Sequence, residues 1–373
     1  MRIAIFCHSI LSDWNHGNAH FLRGVASTLA ECGHRVEVFE PQDAWSVRNL
    51  VADHGPEQLS GVYDVYPGLS VTRYRPDALD LDRALEGFEL VIVHEWNDHA
   101  LVRCLGLHRA RTAGYRLLFH DTHHRAITDP PAMDAYDLRY YDGVLAFGAV
   151  LRDLYLERRW ARRAWVWHEA ADTRVFRYLA GALRRGDVVW IGNWGDEERT
   201  ADLREFLLEP VKALGLRARI HGVRYSGPAR QALREAGCEY CGWLPDYRAP
   251  EVFACFRATV HVPRRPYVEA LRGIPTIRVF EALACGIPLV AAPWDDCEGL
   301  FQPGRDYLVA ANGAEMKQHL RALMEDDGMA RELALHGRQT ILARHTCAHR
   351  VNELMEICSE LGIPARAAAN SNA

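Results

Sequence analysis

Short apolar runs alternate with amphipathic stretches along nearly the whole chain, and that alternation restricts the fold more than any single motif does. RIAIF is followed by a stretch that places Phe21, Leu22, Val25 and Leu29 on one helical face, and then by HRVEVFE; ELVIVHE, YRLLFHD, DGVLAF and AWVWHEA come later in the first half. Continuous apolar strands separated by helices build parallel sheets covered on both faces. The rhythm restarts after DTRVFRYLAGALRRGD with VVWIGNW, RARIHGV, EYCGWLP, ATVHVPR, PLVAAPW and YLVAA, which predicts a second parallel sheet. A chain of 373 residues accommodates two such α/β domains, at roughly 150 to 200 residues each. The expected division is 1–172 for the first domain, a polar connector at 173–186, and 187–340 for the second. A helix at 341–364 then crosses back to the first domain, and 365–373 form a frayed tail. Doubly wound sheets receive ligands at the carboxyl ends of their strands, so two of them facing each other would enclose a cleft.

Composition narrows the function classes. With 49% hydrophobic and 25% charged residues and a net charge of -5, the chain reads as an enzyme or binding protein, and no nucleic-acid partner is expected. Of its basic residues only Lys212 and Lys317 are lysine, a bias in usage rather than a reason to treat every arginine as a ligand. The ten cysteines are scattered, mostly inside apolar segments, and point to a reducing cytoplasm. Cys238 and Cys241 form one CxxC without a second pair at zinc spacing, so no metal is expected there. No apolar run reaches the length of a membrane span. The stretch ERRWARRAWVWHEA, residues 157–170, reads as a helix whose arginines face water, although it leaves open a peripheral contact with anionic lipid.

The strongest local signal is GIPTIRVFEALACGIPLVAAPW, residues 273–294. A loop with Gly273 and Pro275 feeds a short helix that Gly286 ends, and a buried strand follows. Free N–H groups and the positive end of a helix dipole suit an anion such as a diphosphate, with Thr276, Ile277 and Arg278 at the contact. Glu281, one turn in, can accept hydrogen bonds from a ribose diol. The plainer alternative is an amphipathic helix on which Arg278 and Glu281 form a solvated pair.

This stretch resembles the nucleotide-sugar signature of GT-B glycosyltransferases, and PTIRVFEALACGIPLV is closer still to their CgeB-like group. DWNHGNAHFLRGV resembles the opening segment of that group, and with RGDVVWIGNWGDEERTADLREFLLEP between them the resemblance covers nearly the whole chain. It implies a GT-B fold of two Rossmann-like domains, hexosyl transfer from a UDP, GDP or TDP sugar, and no bound metal or further cofactor. It also implies ribose binding by Glu281 and phosphate binding by Thr276 to Arg278. One departure is that many members carry a second glutamate eight positions earlier, where this chain has Gly273; Glu269 is four residues too early to replace it.

Other candidates lie at strand ends. In LLFHDTHHRA, His120 or His123 could hydrogen-bond the transferred sugar or act as a general base, and Asp121 could orient an imidazole or act as a base itself. Their spacing fits no familiar zinc pattern. In VHEWNDH, His94 and Glu95 could line the acceptor side, with Trp96 closing the core or stacking on a sugar. Asn193 is a candidate donor ligand, and Arg264 or Arg265 could pair with the diphosphate. The turn HGNAH lacks the glycines of a dinucleotide loop. Gly17, Asn18 and His20 are therefore expected to meet the sugar or diphosphate from the first domain, Asn18 also capping the following helix. The expected activity is metal-independent glycosyl transfer to an undetermined acceptor. A nucleotide-sugar 2-epimerase and a non-catalytic sugar-nucleotide binder remain the alternatives.

Overall fold

The computed structural model describes residues 1–112, 114–195 and 197–363, and the tail expected at 365–373 lies outside them. The first sheet comprises β1 (Arg2–Phe6), β2 (Arg35–Pro41), β3 (Val71–Tyr74), β4 (Leu90–His94), β5 (Arg116–Asp121), β6 (Gly143–Ala146) and β7 (Ala164–Val166). They lie in the order β3-β2-β1-β4-β5-β6-β7, parallel at every pairing. The second sheet comprises β8 (Val188–Ile191), β9 (Ala218–His221), β10 (Cys238–Gly242), β11 (Ala258–His261), β12 (Leu289–Ala291) and β13 (Leu308–Val309). Its order is β10-β9-β8-β11-β12-β13, again all parallel. In each sheet the strand order reverses beside the first strand, between β1 and β4 and between β8 and β11, and the carboxyl edge of such a reversal is where doubly wound sheets bind ligands.

The strands follow from the apolar runs. Every residue of β4, LVIVH, is buried, as expected when helices cover both faces. Phe6 stacks on Phe39 at 4.7 Å, and Ile3, Ile5 and Phe119 fill the first core; Trp190, Ile220, Val260 and Val290 fill the second. Each such side chain contributes about 1.5–3 kcal/mol by leaving water. The strand that the apolar pattern misses is β3: VTRY is short, lies at the sheet edge and shows two exposed residues, so its alternation is weak.

The compact units are Met1–Glu169 together with the chain from Cys347 onward, and Ala170–Thr346. The connector expected at 173–186 groups with the second unit. The helix expected at 341–364 is interrupted at residues 345–346, between the helices Asp327–Arg344 and Cys347–Glu360. Cys347–Glu360 packs on the helix Ala19–Glu31 of the first unit. Trp167 Nε1 donates to the Arg350 carbonyl at 2.8 Å and Trp165 Nε1 to Glu360 Oε2 at 2.9 Å, fixing it to the end of the first sheet.

Candidate functional site

At the carboxyl end of the first sheet, polar side chains fill positions that a core would ordinarily give to apolar ones. β5 runs further than the sequence pattern predicts, so His120 and Asp121 are still strand, in register with Leu145 and Ala146 of β6. The His120 ring sits 5.8 Å from the ring of Phe21 and 4.9 Å from that of Trp167, wholly buried, and burial pulls it down to about 3. An imidazole kept neutral among aromatic rings is less well placed than half-buried His123 for the proton transfer expected of either histidine.

Asp121 is 1% exposed; its Oδ2 accepts from the Tyr155 hydroxyl at 2.8 Å and its Oδ1 from the His123 N–H at 3.0 Å. Burial raises Asp121 to about 6. With both oxygens engaged it shapes the turn on which His123 stands rather than facing a ligand. The half-buried His123 ring meets the Trp96 ring edge-on at 4.8 Å and lies 4.0 Å from that of His124. Arg125 lies over the Trp96 ring at 4.3 Å, and its guanidinium donates to the Glu95 carboxylate and, at 2.7 Å, to the Glu95 carbonyl. Glu95 is wholly buried, and burial, reinforced by the charge of Asp121, raises it to about 8 against the pull of Arg125.

The turn after β1 is tied into the same cluster. Asn18 Nδ2 donates to Thr122 Oγ1, which also lies 3.0 Å from His94 Nε2. Asn18 itself has helical backbone, φ −73° and ψ −8°, from which its Oδ1 does not reach the first-turn N–H groups, and it forms no side-chain cap on the helix Ala19–Glu31, contrary to the sequence-based expectation. Gly17 and Asn18 are half-buried, whereas His20 is wholly buried within that helix and offers a ligand no surface. Buried Glu40 secures the preceding loop, its Oε2 accepting from Ser9 Oγ at 3.1 Å and from the N–H groups of Ile10 and Leu11 at 2.8 and 3.1 Å.

In the second unit the loop 270–276 leads into the helix Ile277–Cys285, which Gly286 ends at φ +65°. Thr276, at the N-cap position, makes no side-chain cap hydrogen bond, and the first turn carries no acidic residue. Thr276 Oγ1 lies 3.1 Å from His261 Nε2, at the end of β11. Glu281 is 0% exposed and ion-paired with half-buried Arg278, so the pair is not the solvated one considered as the plainer reading. Gly273 adopts φ +86°, and a Cβ there would come within 2.8 Å of Glu298 Cγ. A glutamate at 273 would be strained as well as crowded, and the Glu298 side chain occupies its place.

Other predicted donor ligands are engaged within the protein. Asn193 Oδ1 accepts the Val223 N–H at 2.8 Å, and Arg264 Nε donates to Glu198 Oε1 at 2.6 Å. Arg265 lies 3.5 Å from Asp202 through Nε. The structure thus gathers Gly17, Asn18, Asp121 and His123 in the first unit and Thr276, Ile277, Arg278 and Glu281 in the second. The sequence pattern misses Arg199, whose buried guanidinium donates to the carbonyls of Asn193, of Trp194 at 3.2 Å and of Val262 at 2.9 Å, joining the turns after β8 and β11. It also misses His261, for which a strand-end position was the available signal. Among the described residues, no group of three His, Cys, Asp or Glu side chains is arranged to hold a metal ion, and no helix is long and apolar enough to cross a membrane.

Residues 199–356 match the family described as glycosyl transferase-like. No curated protein sequence matches the chain. Among solved structures, the chain is similar to HepE from Anabaena in complex with UDP and glucose, with a TM-score of 0.66 at 14% identity over 96% of this chain and 100% of that one. It is equally similar to a sucrose-phosphate synthase from Thermosynechococcus elongatus, with a TM-score of 0.66 at 14% identity over 97% and 99% of the two chains. An alpha-glucosyltransferase in complex with UDP and a 13-mer DNA gives a TM-score of 0.68 at 12% identity over 96% and 99%. The two parallel-sheet α/β units therefore have the GT-B fold, and residues 199–356 carry a glycosyltransferase-like domain.

Proposed function

We propose that the protein is a hexosyltransferase that moves a sugar from a nucleoside diphosphate donor to an acceptor. The observation that carries this reading is the helix Ile277–Cys285, whose N-cap residue Thr276 makes no side-chain cap bond and whose second turn begins with a wholly buried carboxylate, Glu281. Such a helix start is suited to the diphosphate, and Glu281 to the ribose hydroxyls. The glycosyltransferase-like match over 199–356 supports the reading, as do similar folds solved with UDP and with UDP-glucose. UDP sugars are accordingly the first donors to try, ahead of GDP and TDP sugars. The finer assignment to the CgeB-like group rests on DWNHGNAHFLRGV and PTIRVFEALACGIPLV.

In this mechanism negative charge developing on the leaving diphosphate is stabilised by helix N–H groups and by Arg278, and no cofactor beyond the donor is invoked. Arg278 would exchange its pairing with Glu281 for the phosphates, freeing the carboxylate for ribose. His123, on the turn fixed by Asp121, takes the acceptor's proton, and Trp96 beside it offers a face on which an acceptor ring can stack. Glu298, in the space a side chain at 273 would need, is the candidate contact to the donor sugar. Ten free cysteines fit a reducing compartment such as the cytoplasm.

Calorimetric titration with UDP-, GDP- and TDP-glucose tests the donor reading. Micromolar binding of one that Glu281→Ala weakens at least tenfold supports it, and unchanged binding in that variant sinks it. Binding without transfer or hydrolysis would favour the non-catalytic alternative, for which the absence of a glutamate at 273 is the motive.

A further inference from the structure

The second unit carries the most exposed large apolar side chains of the described residues. Leu183 is 84% exposed, Tyr178 59%, Leu335 54% and Leu342 43%, the four highest values in that class. They belong to two adjoining stretches. Leu335 and Leu342, seven residues apart, stand on one face of the helix Asp327–Arg344, and Arg331 and Arg338 fill the i−4 and i+3 positions of the same stripe about Leu335. Tyr178 and Leu183 lie in the segment 177–185, which is neither helix nor strand. Its two ends are fixed beside the helix. A Cβ on Gly286 would meet Tyr178 at 3.5 Å and Arg338 at 3.6 Å, so these two side chains flank one glycine. At the other end the Arg185 N–H donates to the Cys255 carbonyl at 2.8 Å. Arg257, just beyond Cys255, holds Asp327 at the helix start at 2.6 Å. The segment RYLAGALRR contains no carboxylate. Arg177, Arg184 and Arg185 are exposed in it and Arg331 on the helix, and among the described residues none of these four guanidinium groups is paired with a carboxylate. Against them stands exposed Glu332, on the neighbouring row of the helix.

We propose that this face of the second unit docks on an anionic lipid bilayer. The arginines meet headgroup phosphates while Leu183, Tyr178 and the two helix leucines enter the interfacial layer. The inference is independent of the donor-site reading and of the arginines at 158–163 in the first unit. Charge and shape together choose the partner. A second copy meeting this face across a two-fold axis would set the same arginines against one another. A nucleic acid would satisfy the arginines but leave the aliphatic side chains in water, whereas the boundary of a bilayer takes both. Contiguous apolar groups left in water beside unpaired cations gain nothing inside the fold, and such a surface is the ordinary mark of a docking face.

The test is cosedimentation of the full chain with vesicles of phosphatidylcholine alone and of phosphatidylcholine mixed equally with phosphatidylglycerol, alongside sedimentation velocity of the free protein. The wild type is expected to bind the mixed vesicles and not the neutral ones. Raising the salt from about 0.1 to 1 M, which shortens the Debye length from about 10 to 3 Å, should release it. Combining Arg177→Ala, Arg184→Ala and Arg331→Ala should weaken binding roughly 100-fold, at about fivefold per arginine. Leu183→Ser should weaken it roughly tenfold. Both variants should keep the wild-type thermal midpoint, since they change exposed side chains only. A charge-matched control, Arg158→Ala with Arg159→Ala and Arg162→Ala, should bind within about twofold of wild type if the contact lies in the second unit. Equal binding to both kinds of vesicle, wild-type binding by the first triple variant, or no binding to vesicles at all would each overturn the proposal. Loss in the control triple alone would move the contact to the first unit and overturn it as well. A dimer that Leu183→Ser dissolves, in place of vesicle binding, would assign the face to a second copy of the chain and overturn the lipid proposal.

Discussion

The carboxyl ends of the two sheets use one device to different effect. In the first unit Asn18 stands at a helix N-terminus and turns its side chain to Thr122; in the second Thr276 does the same toward His261. Neither caps its helix. The bond of Asn18 closes a polar cluster in which Asp121 and Glu95 are already engaged by Tyr155, Arg125 and the backbone of His123. The bond of Thr276 turns the cap residue's own oxygen away from the helix start. The same displacement therefore serves two ends: in the first unit it ties the turn after β1 into the cluster around His123, and in the second it joins the cap residue to the end of β11, beside the helix proposed to bind the donor.

The largest effect should come from the side chain that the first cluster holds. His123→Ala is expected to lower kcat by roughly 10²- to 10⁴-fold, the usual worth of a general base, with an acceptor the wild type turns over. Donor affinity should stay within about twofold, so a change in affinity equal to the change in rate would show that the first cluster acts through structure alone. Glu281→Ala should reverse that pattern, weakening the donor by roughly 10- to 100-fold because two hydrogen bonds to a carboxylate are lost. Calorimetry on both variants breaks the comparison if their effects exchange places.

The sequence already carried the two sheets and the helix at 277–285, because continuous apolar strands and a glycine stop depend on residue type and spacing. What it could not carry was depth. His120 and His123 are three residues apart in one polar run, yet β5 includes the first and ends before the second, so one is sealed against Trp167 and the other is half-buried. Strand length at that point is fixed by pairing with β6, a partner some two dozen residues away. Arg199 and His261 were hard to read for a related reason: Arg199 joins its own turn to the Val262 carbonyl, and His261 meets the Thr276 hydroxyl fifteen residues on, pairings that residue type and spacing do not announce.

Burial of the first cluster also sets its response to pH. Glu95 and Asp121 are raised to about 8 and about 6, above unfolded values of roughly 4. The folded state thus holds more protons than the unfolded one, and these groups cost stability as pH rises through that window. His8, lowered to about 4, and His16 and His120, each lowered to about 3, work the other way, since stability is lost as pH falls below their unfolded value. The thermal midpoint of the first unit should peak near pH 6.5, at about the unfolded histidine value, and decline by several degrees toward pH 8.5. Glu95→Gln should flatten the alkaline decline and leave the acid one, and an unchanged alkaline decline would show that the carboxyl is ionised in the fold.

The smallest expected effect is the most direct probe of the displaced caps. Asn312 does cap its helix, its Oδ1 accepting from the N–H groups of Ala314 and Glu315 at 3.0 Å each. Replacing it with alanine should cost about 1 kcal/mol, the usual loss for a capping asparagine. Asn18→Ala removes one bond to a hydroxyl that keeps His94 as a partner, and it strips nothing from the helix, so its cost should stay below that of a true cap, at roughly 0.5 kcal/mol. Equal losses for the two variants in urea unfolding would mean that Asn18 caps its helix in solution. The tie between the turns after β1 and β5 would then be absent, and the polar cluster that holds His123 would lose one of its walls.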